Sequence, residues 1–76
     1  MTRAYTIILE PNPDECIYTV TVPALPGCIT QGRTVEECIA RAKEAIAAWI
    51  ADAVAAGETV PEETMRPQAI VIDVAA

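Results

Sequence analysis

Residues 23–37 read PALPGCITQGRTVEE, and no other stretch of the chain leaves the backbone so few choices. Pro23 lacks the N–H that a sheet ladder needs, so it ends the strand before it. Pro26-Gly27 predicts a type II turn, in which proline presets φ at the first corner and glycine takes the positive φ at the second. The segment 28–31 can then return as a short strand, which Gly32 breaks. Thr34-Val35-Glu36-Glu37 matches a capping box: the threonine oxygen accepts from the N3 amide and Glu37 reaches back to the cap. Pro23, Pro26, Gly27, Gly32, Thr34 and Glu37 form a structural signature that spells strand, turn, strand and helix start in close succession.

The flanking segments extend this plan. Residues 5–10 alternate, with Tyr5, Ile7 and Leu9 opposed to Thr6, Ile8 and Glu10, which predicts a strand. A turn cluster over 11–15 leads into a second alternating run over 16–22. There Cys16, Tyr18, Val20 and Val22 point inward against Ile17, Thr19 and Thr21, so the two runs make an antiparallel hairpin. From 35 to 56 the period becomes helical, with Val35, Cys38, Ile39, Ala42, Ile46, Trp49, Ile50, Ala53 and Val54 along one apolar stripe. Gly57 ends the helix as its C′ residue. Residues 58–67 read as a loop with one turn of helix at its centre, and 69–74 alternate again as a fourth strand.

The predicted fold class is α+β, in the order β-β-β-α-β: an antiparallel meander plus a fourth strand, with one long helix on one face. The opposite face, with Thr6, Ile8, Ile17, Thr19, Thr21 and Val71, is half apolar and has no helix to cover it. That face, or an open sheet edge, is where a partner is expected.

Composition narrows the function. A chain of 76 residues makes one small domain, which buries only about 60% of its unfolded surface. Its apolar fraction of 53% is more than one small core holds, which favours a protein partner, including a second copy of itself. The net charge of −6 disfavours nucleic acid and anionic membranes; it either simply keeps a small domain soluble, the better reading of charge alone, or favours a basic protein partner. The basic residues Arg3, Arg33, Arg41, Lys43 and Arg66 are scattered, so they form no nucleic-acid footprint.

Catalytic motifs are missing. The chain has no histidine and no serine, and its three glycines form no phosphate-cradling loop. Glu10, Asp14, Glu15, Glu44, Asp52 and Asp73 are the carboxylates a metal would need, and they read as solvated charge. No enzyme activity, cofactor or metal is expected. Cys16, Cys28 and Cys38 match no zinc or redox spacing and read as buried thiols in a reducing compartment. With no signal peptide and no apolar run of about 20 residues, the expected location is cytoplasmic, with no membrane contact. Trp49, at helical spacing, reads as a core anchor.

Residues 18–37, YTVTVPALPGCITQGRTVEE, precede an alanine-rich helix with Ala42, Ala45, Ile46 and Trp49, and then Gly57 and Val60-Pro61. This pattern resembles the N-terminal domain of HicB-type antitoxins over nearly the whole chain. The resemblance implies a partial ribonuclease H-like domain in the same β-β-β-α-β order, without nuclease function. It also implies a partner: HicA, a small basic mRNA-cleaving toxin, inhibited by covering its surface. Ala24 and Arg33 stand where many members carry acidic residues, which removes acidity from that rim.

Relatives of this type usually add a C-terminal DNA-binding domain, whereas residues 1–76 read as a single domain without one. A homo-oligomer, dimer or tetramer, is expected. Glu10, Asp14, Glu15, Glu58, Glu62 and Glu63 are the acidic candidates for the partner interface. The alternative reading is a solitary HicB-fold oligomeric scaffold that binds another protein and has no toxin partner.

Overall fold

The computed structural model describes residues 3–75. Its strands are β1 (Ile8–Asn12), β2 (Ile17–Thr21) and β3 (Ile29–Gly32), followed by one helix, α1 (Val35–Ala55). The three strands form one antiparallel sheet in the order β1-β2-β3. This is the α+β meander-and-helix arrangement that the residue pattern predicts.

The connection from β2 to β3 follows from its punctuation. Cys28 N–H donates to Leu25 O at 3.0 Å and Gly27 has φ +80, so Pro26-Gly27 forms the type II turn. A second turn precedes it, with Leu25 N–H on Val22 O at 3.0 Å, and Val22 N–H on Cys28 O at 3.1 Å closes the loop. Turning the chain twice drives Leu25 inward, where it packs with Val22 and Cys28. Burial there pushes the Cys28 thiol up, so it stays neutral.

Both helix ends are locally determined. Thr34 Oγ1 accepts from Glu37 N at 3.1 Å, which satisfies one of the orphan amides of the first turn. The reciprocal half of the expected capping box does not form. The Glu37 carboxylate instead accepts from Arg41 Nε at 3.2 Å, one turn along, because a full opposite charge outcompetes the cap amide. At the other end Gly57, at φ +73, donates to Val54 O at 3.1 Å and Glu58 N–H donates to Ala53 O at 2.9 Å. This pair of bonds is a Schellman motif, and it places the next segment away from the helix axis.

The helix lies over β2 and β3. Cys38 and Ala42 pack on Val20, with Ile7, Leu9 and Tyr18 at the edge, while Ala45, Ile46 and Trp49 cover Val22, Leu25 and Cys28. Small residues on the helix allow this close approach. Gly32 is the extreme case: a Cβ there would stand 2.8 Å from Cys38 Sγ and 2.9 Å from Cys38 N. It is glycine because the helix start sits on the end of β3, a stronger constraint than breaking a strand. Trp49 anchors the helix as expected and adds a bond of its own, donating Nε1–H to Pro26 O at 3.0 Å.

Four expectations are corrected. The hairpin turn falls at 13–16 rather than 11–15, because β1 runs through Pro11 and Asn12 to pair Asn12 with Ile17. Cys16 therefore belongs to the turn, with φ +55, and is exposed rather than inward-facing. Residues 58–67 form no turn of helix. The predicted fourth strand, 69–74, pairs with none of the three strands. Ile70, Ile72 and Val74 are exposed and Val71 is 97% exposed. Alternation supplies strand propensity, but a strand also needs a free edge within reach of its tether. With this tail extended, the radius of gyration is 14.5 Å and the long axis 50 Å; a compact chain of this length has a radius near 11 Å.

Candidate protein-binding surface

The ladder pattern determines which backbone groups are free. Because Val22 N–H faces β3, alternation turns the N–H groups of Thr21, Thr19 and Ile17 toward β1. Their partners Ile8, Glu10 and Asn12 turn toward β2, so Ile7, Leu9 and Pro11 face the open edge. Pro11 is tolerated there because its missing N–H costs no ladder bond. The edge beside Ile7 and Leu9 keeps both donors and acceptors available.

Side chains of the same register build the outer face. Ile8, Thr21 and Ile29 form one row across the three strands, and Glu10, Thr19 and Gln31 form the next. Ile29 is 62% exposed and Ile8 is exposed as well. No helix covers this face among the described residues, since α1 packs on the other one. It carries apolar side chains in the middle and threonines between them, a composition that suits a protein partner better than a solvated surface.

The six acidic candidates do not converge. Glu10 lies on β1 and Asp14 and Glu15 in the hairpin turn, all exposed at the end of the sheet nearest the start of α1. Glu58 and Glu62 are exposed at the other end, beyond the helix C-terminus, where Glu62 lies 3.9 Å from Arg3. The 21-residue helix, about 31 Å long, separates the two groups. Asp73 lies in the unpaired tail, whereas Glu10 lies on β1. Among the described residues, no three acidic or cysteine side chains come together to hold a metal ion.

Glu63 stands apart from the other five. Its side chain is 3% exposed, and its carboxylate accepts from Thr6 N–H and Thr6 Oγ1, both at 2.7 Å. By alternation Thr6 N–H points past the end of β2, where Pro23 stops the ladder. Glu63 fills that position and continues the edge. The two Thr6 hydrogen bonds, backbone first, hold its carboxyl below the usual range, with Arg66 at 3.3 Å adding to the effect. Tyr5 Oη also donates to Pro61 O at 2.6 Å. These bonds clasp the 58–67 loop to the N-terminal segment. No local pattern announces this clasp, because it joins residues 57 positions apart.

A groove opens on the other side of the N-terminal segment. It measures about 600 Å³ and lies between Arg3–Ile7 and the helix flank of Ile39, Lys43, Ile46 and Ile50. Its existence follows from the helix position: α1 covers β2 and β3, so β1 has no lid. Of the predicted apolar stripe, Ile39, Ala42, Ile46 and Ile50 line this groove, and Ile39 is exposed there. Val35 and Val54, near the two helix ends, are exposed outside it.

A three-stranded meander under one helix, with an outer face left bare among the described residues, makes up this small α+β domain. The comparisons give its kind. A family model described as a HicB_like antitoxin of bacterial toxin-antitoxin system matches residues 5–71, and the chain belongs to that family. It is 44% identical over 59 residues to the UPF0150 protein Ta0767 of Thermoplasma acidophilum, covering 78% of this chain and 84% of that one. A UPF0150 protein of Archaeoglobus fulgidus is 41% identical over 46 residues, 60% of this chain and 65% of the relative. The UPF0150 protein ssr1765 of Synechocystis is 37% identical over 70 residues, 90% of this chain and 87% of the relative. No helix among the described residues is long and apolar enough to cross a membrane.

Proposed function

We propose that the chain is a proteinaceous inhibitor of a small basic mRNA-cleaving toxin of the HicA kind, and that it acts in the cytoplasm by covering the toxin's RNA-binding surface. It performs no chemistry, needs no cofactor, and binds no nucleic acid itself. The observation that carries this reading is the uncovered outer face. There the Ile8–Thr21–Ile29 row lies beside Glu10 and the acidic hairpin turn of Asp14 and Glu15, in a chain of net charge −6.

The apolar row supplies buried area at the centre of the contact, and the acidic rim supplies register and speeds encounter with a basic partner. Glu58 and Glu62 contribute to the long-range field from the far end. Glu63 does not take part, since its carboxylate is engaged by Thr6. The protein also self-associates, which leaves the outer faces of its copies free for the toxin.

The test is a titration of RNA cleavage by a small basic toxin of the HicA kind, sought in the reading frame adjacent to this chain's own. Cleavage stops at one equivalent of the antitoxin, and the association rate falls steeply as salt rises. Undiminished cleavage at a large excess of antitoxin rejects the toxin-inhibitor reading and favours a scaffold without a toxin partner.

A further inference from the structure

Residues 69–74 and the groove above β1 are complementary, and we infer that the tail strand of one copy completes the sheet of a second. Ala69–Val74 lies along the open edge of the partner's β1 and places Ile70, Ile72 and Val74 in the groove. This deepens the self-association proposed above, and rests on it, by naming the segment exchanged.

Four observations point to this pairing. The tail has strand periodicity and no strand partner, and Ile70, Ile72 and Val74 on one of its faces are each about three-quarters exposed. The open edge of β1 offers the N–H and C=O groups of Ile7 and Leu9 to exactly such a segment, which is the mode of β-strand addition. A strand added there directs alternate side chains to the same side as Tyr5 and Ile7, which is into the groove. Lengths also agree. Ile39 to Ile50 spans about 16 Å of helix, and Ile70 to Val74 spans about 13 Å of strand.

The tether explains why the occupant is a second copy. Glu63 is fixed on the β2 side of Thr6, and Met65 and Pro67 line a cavity together with Pro23 and Ala24. The tail thus leaves the domain on the side opposite its own groove, and the N-terminal segment stands between them. Reaching its own β1 edge would require the tail to turn back around the N-terminal segment. Reaching a second copy's edge requires no change in either domain.

The experiment combines mass in solution with cross-linking of the full chain. Light scattering of the wild type is expected to give twice the 8.1 kDa chain mass. Ile72→Asp is expected to raise the dimer dissociation constant about 100-fold or more, since it buries a charge in an apolar groove. Its helical circular dichroism should be unchanged, because Ile72 is largely exposed and the tail pairs with no strand of its own domain. In a Cys16→Ser background, Ala47→Cys and Ile72→Cys variants are mixed and oxidised, and a disulfide joining the two different chains is expected.

A monomeric wild type overturns self-association and strand exchange together. A dimer indifferent to Ile72→Asp overturns strand exchange alone. The absence of the mixed disulfide, or its formation only within one chain when both substitutions are combined, overturns the exchange between copies. The same variants added to the RNA-cleavage titration report separately on toxin inhibition.

Discussion

Gly32→Ala is the most demanding substitution for this fold. A Cβ at this position meets Cys38 Sγ at 2.8 Å and Cys38 N at 2.9 Å. Both lie well inside the optimal separation of about 3.5–4.0 Å. Neither atom is free to move aside. Cys38 is fully buried against Val20 and Ala42, and its N–H makes the first helical bond, to Thr34 O at 2.9 Å. Relief therefore requires the helix start to lift from β3.

Overpacking of this kind costs about 3 kcal/mol, at the upper end of its usual range. Alanine's smaller unfolded-state entropy offsets about 0.4–1 kcal/mol of that. The net loss is about 2 kcal/mol, against a total stability of about 4–11 kcal/mol for a domain of this length. For so small a domain this lowers Tm by about 8–16 °C. Thermal unfolding followed by far-ultraviolet circular dichroism measures it. Adding Cys38→Ala removes the sulfur contact and leaves the backbone one, so the double variant recovers part of the loss and not all of it. A Tm within about 3 °C of wild type, or complete rescue by Cys38→Ala, would refute the close-approach account.

Glu63 makes stability pH-dependent: its folded-state carboxyl lies below the ordinary value of 4.5, so its contribution is complete above that pH and is lost as pH falls through the folded value. Urea unfolding from neutral to acid pH should show a decline that is shallower in Glu63→Gln. Thr34→Ala removes the cap on Glu37 N–H and should destabilise by about 1 kcal/mol in urea, with Thr34→Ser close to wild type. Trp49→Phe keeps the aromatic contact with Leu25 and Val22 but loses the bond to Pro26 O, and should cost about 1 kcal/mol by the same measurement.

Legibility in the sequence tracked the range of the interactions. Pro26-Gly27, Thr34 and Gly57 act within a few residues, and each sits in the conformation its chemistry predicts. The inward face of β2 was equally readable, since Tyr18, Val20 and Val22 alternate against a helix that had to lie somewhere above them. Alternation misleads at Cys16: the pattern continues through it, while the hairpin register, determined by the pairing of Asn12 with Ile17, puts it in the turn.

The fourth strand shows the converse limit. Ile70, Ile72 and Val74 encode a strand, but what pairs with it depends on where Glu63 tethers the tail. That tether joins residues far apart in sequence and has no local signature. Of the acidic interface candidates, Glu10, Asp14 and Glu15 were recognisable as a cluster because they are close in the chain. The role of Glu63 became visible only with Thr6 beside it.

The central claim is that the outer sheet face is the surface applied to the toxin. Calorimetric titration of the small basic partner with the Ile29→Lys variant tests it most directly. Ile29 stands at the β3 end of the apolar row and is 62% exposed, so lysine there leaves the fold intact. The account predicts an affinity at least about tenfold weaker than wild type with an unchanged Tm. An unchanged affinity for a correctly folded variant would contradict it and move the toxin to another surface.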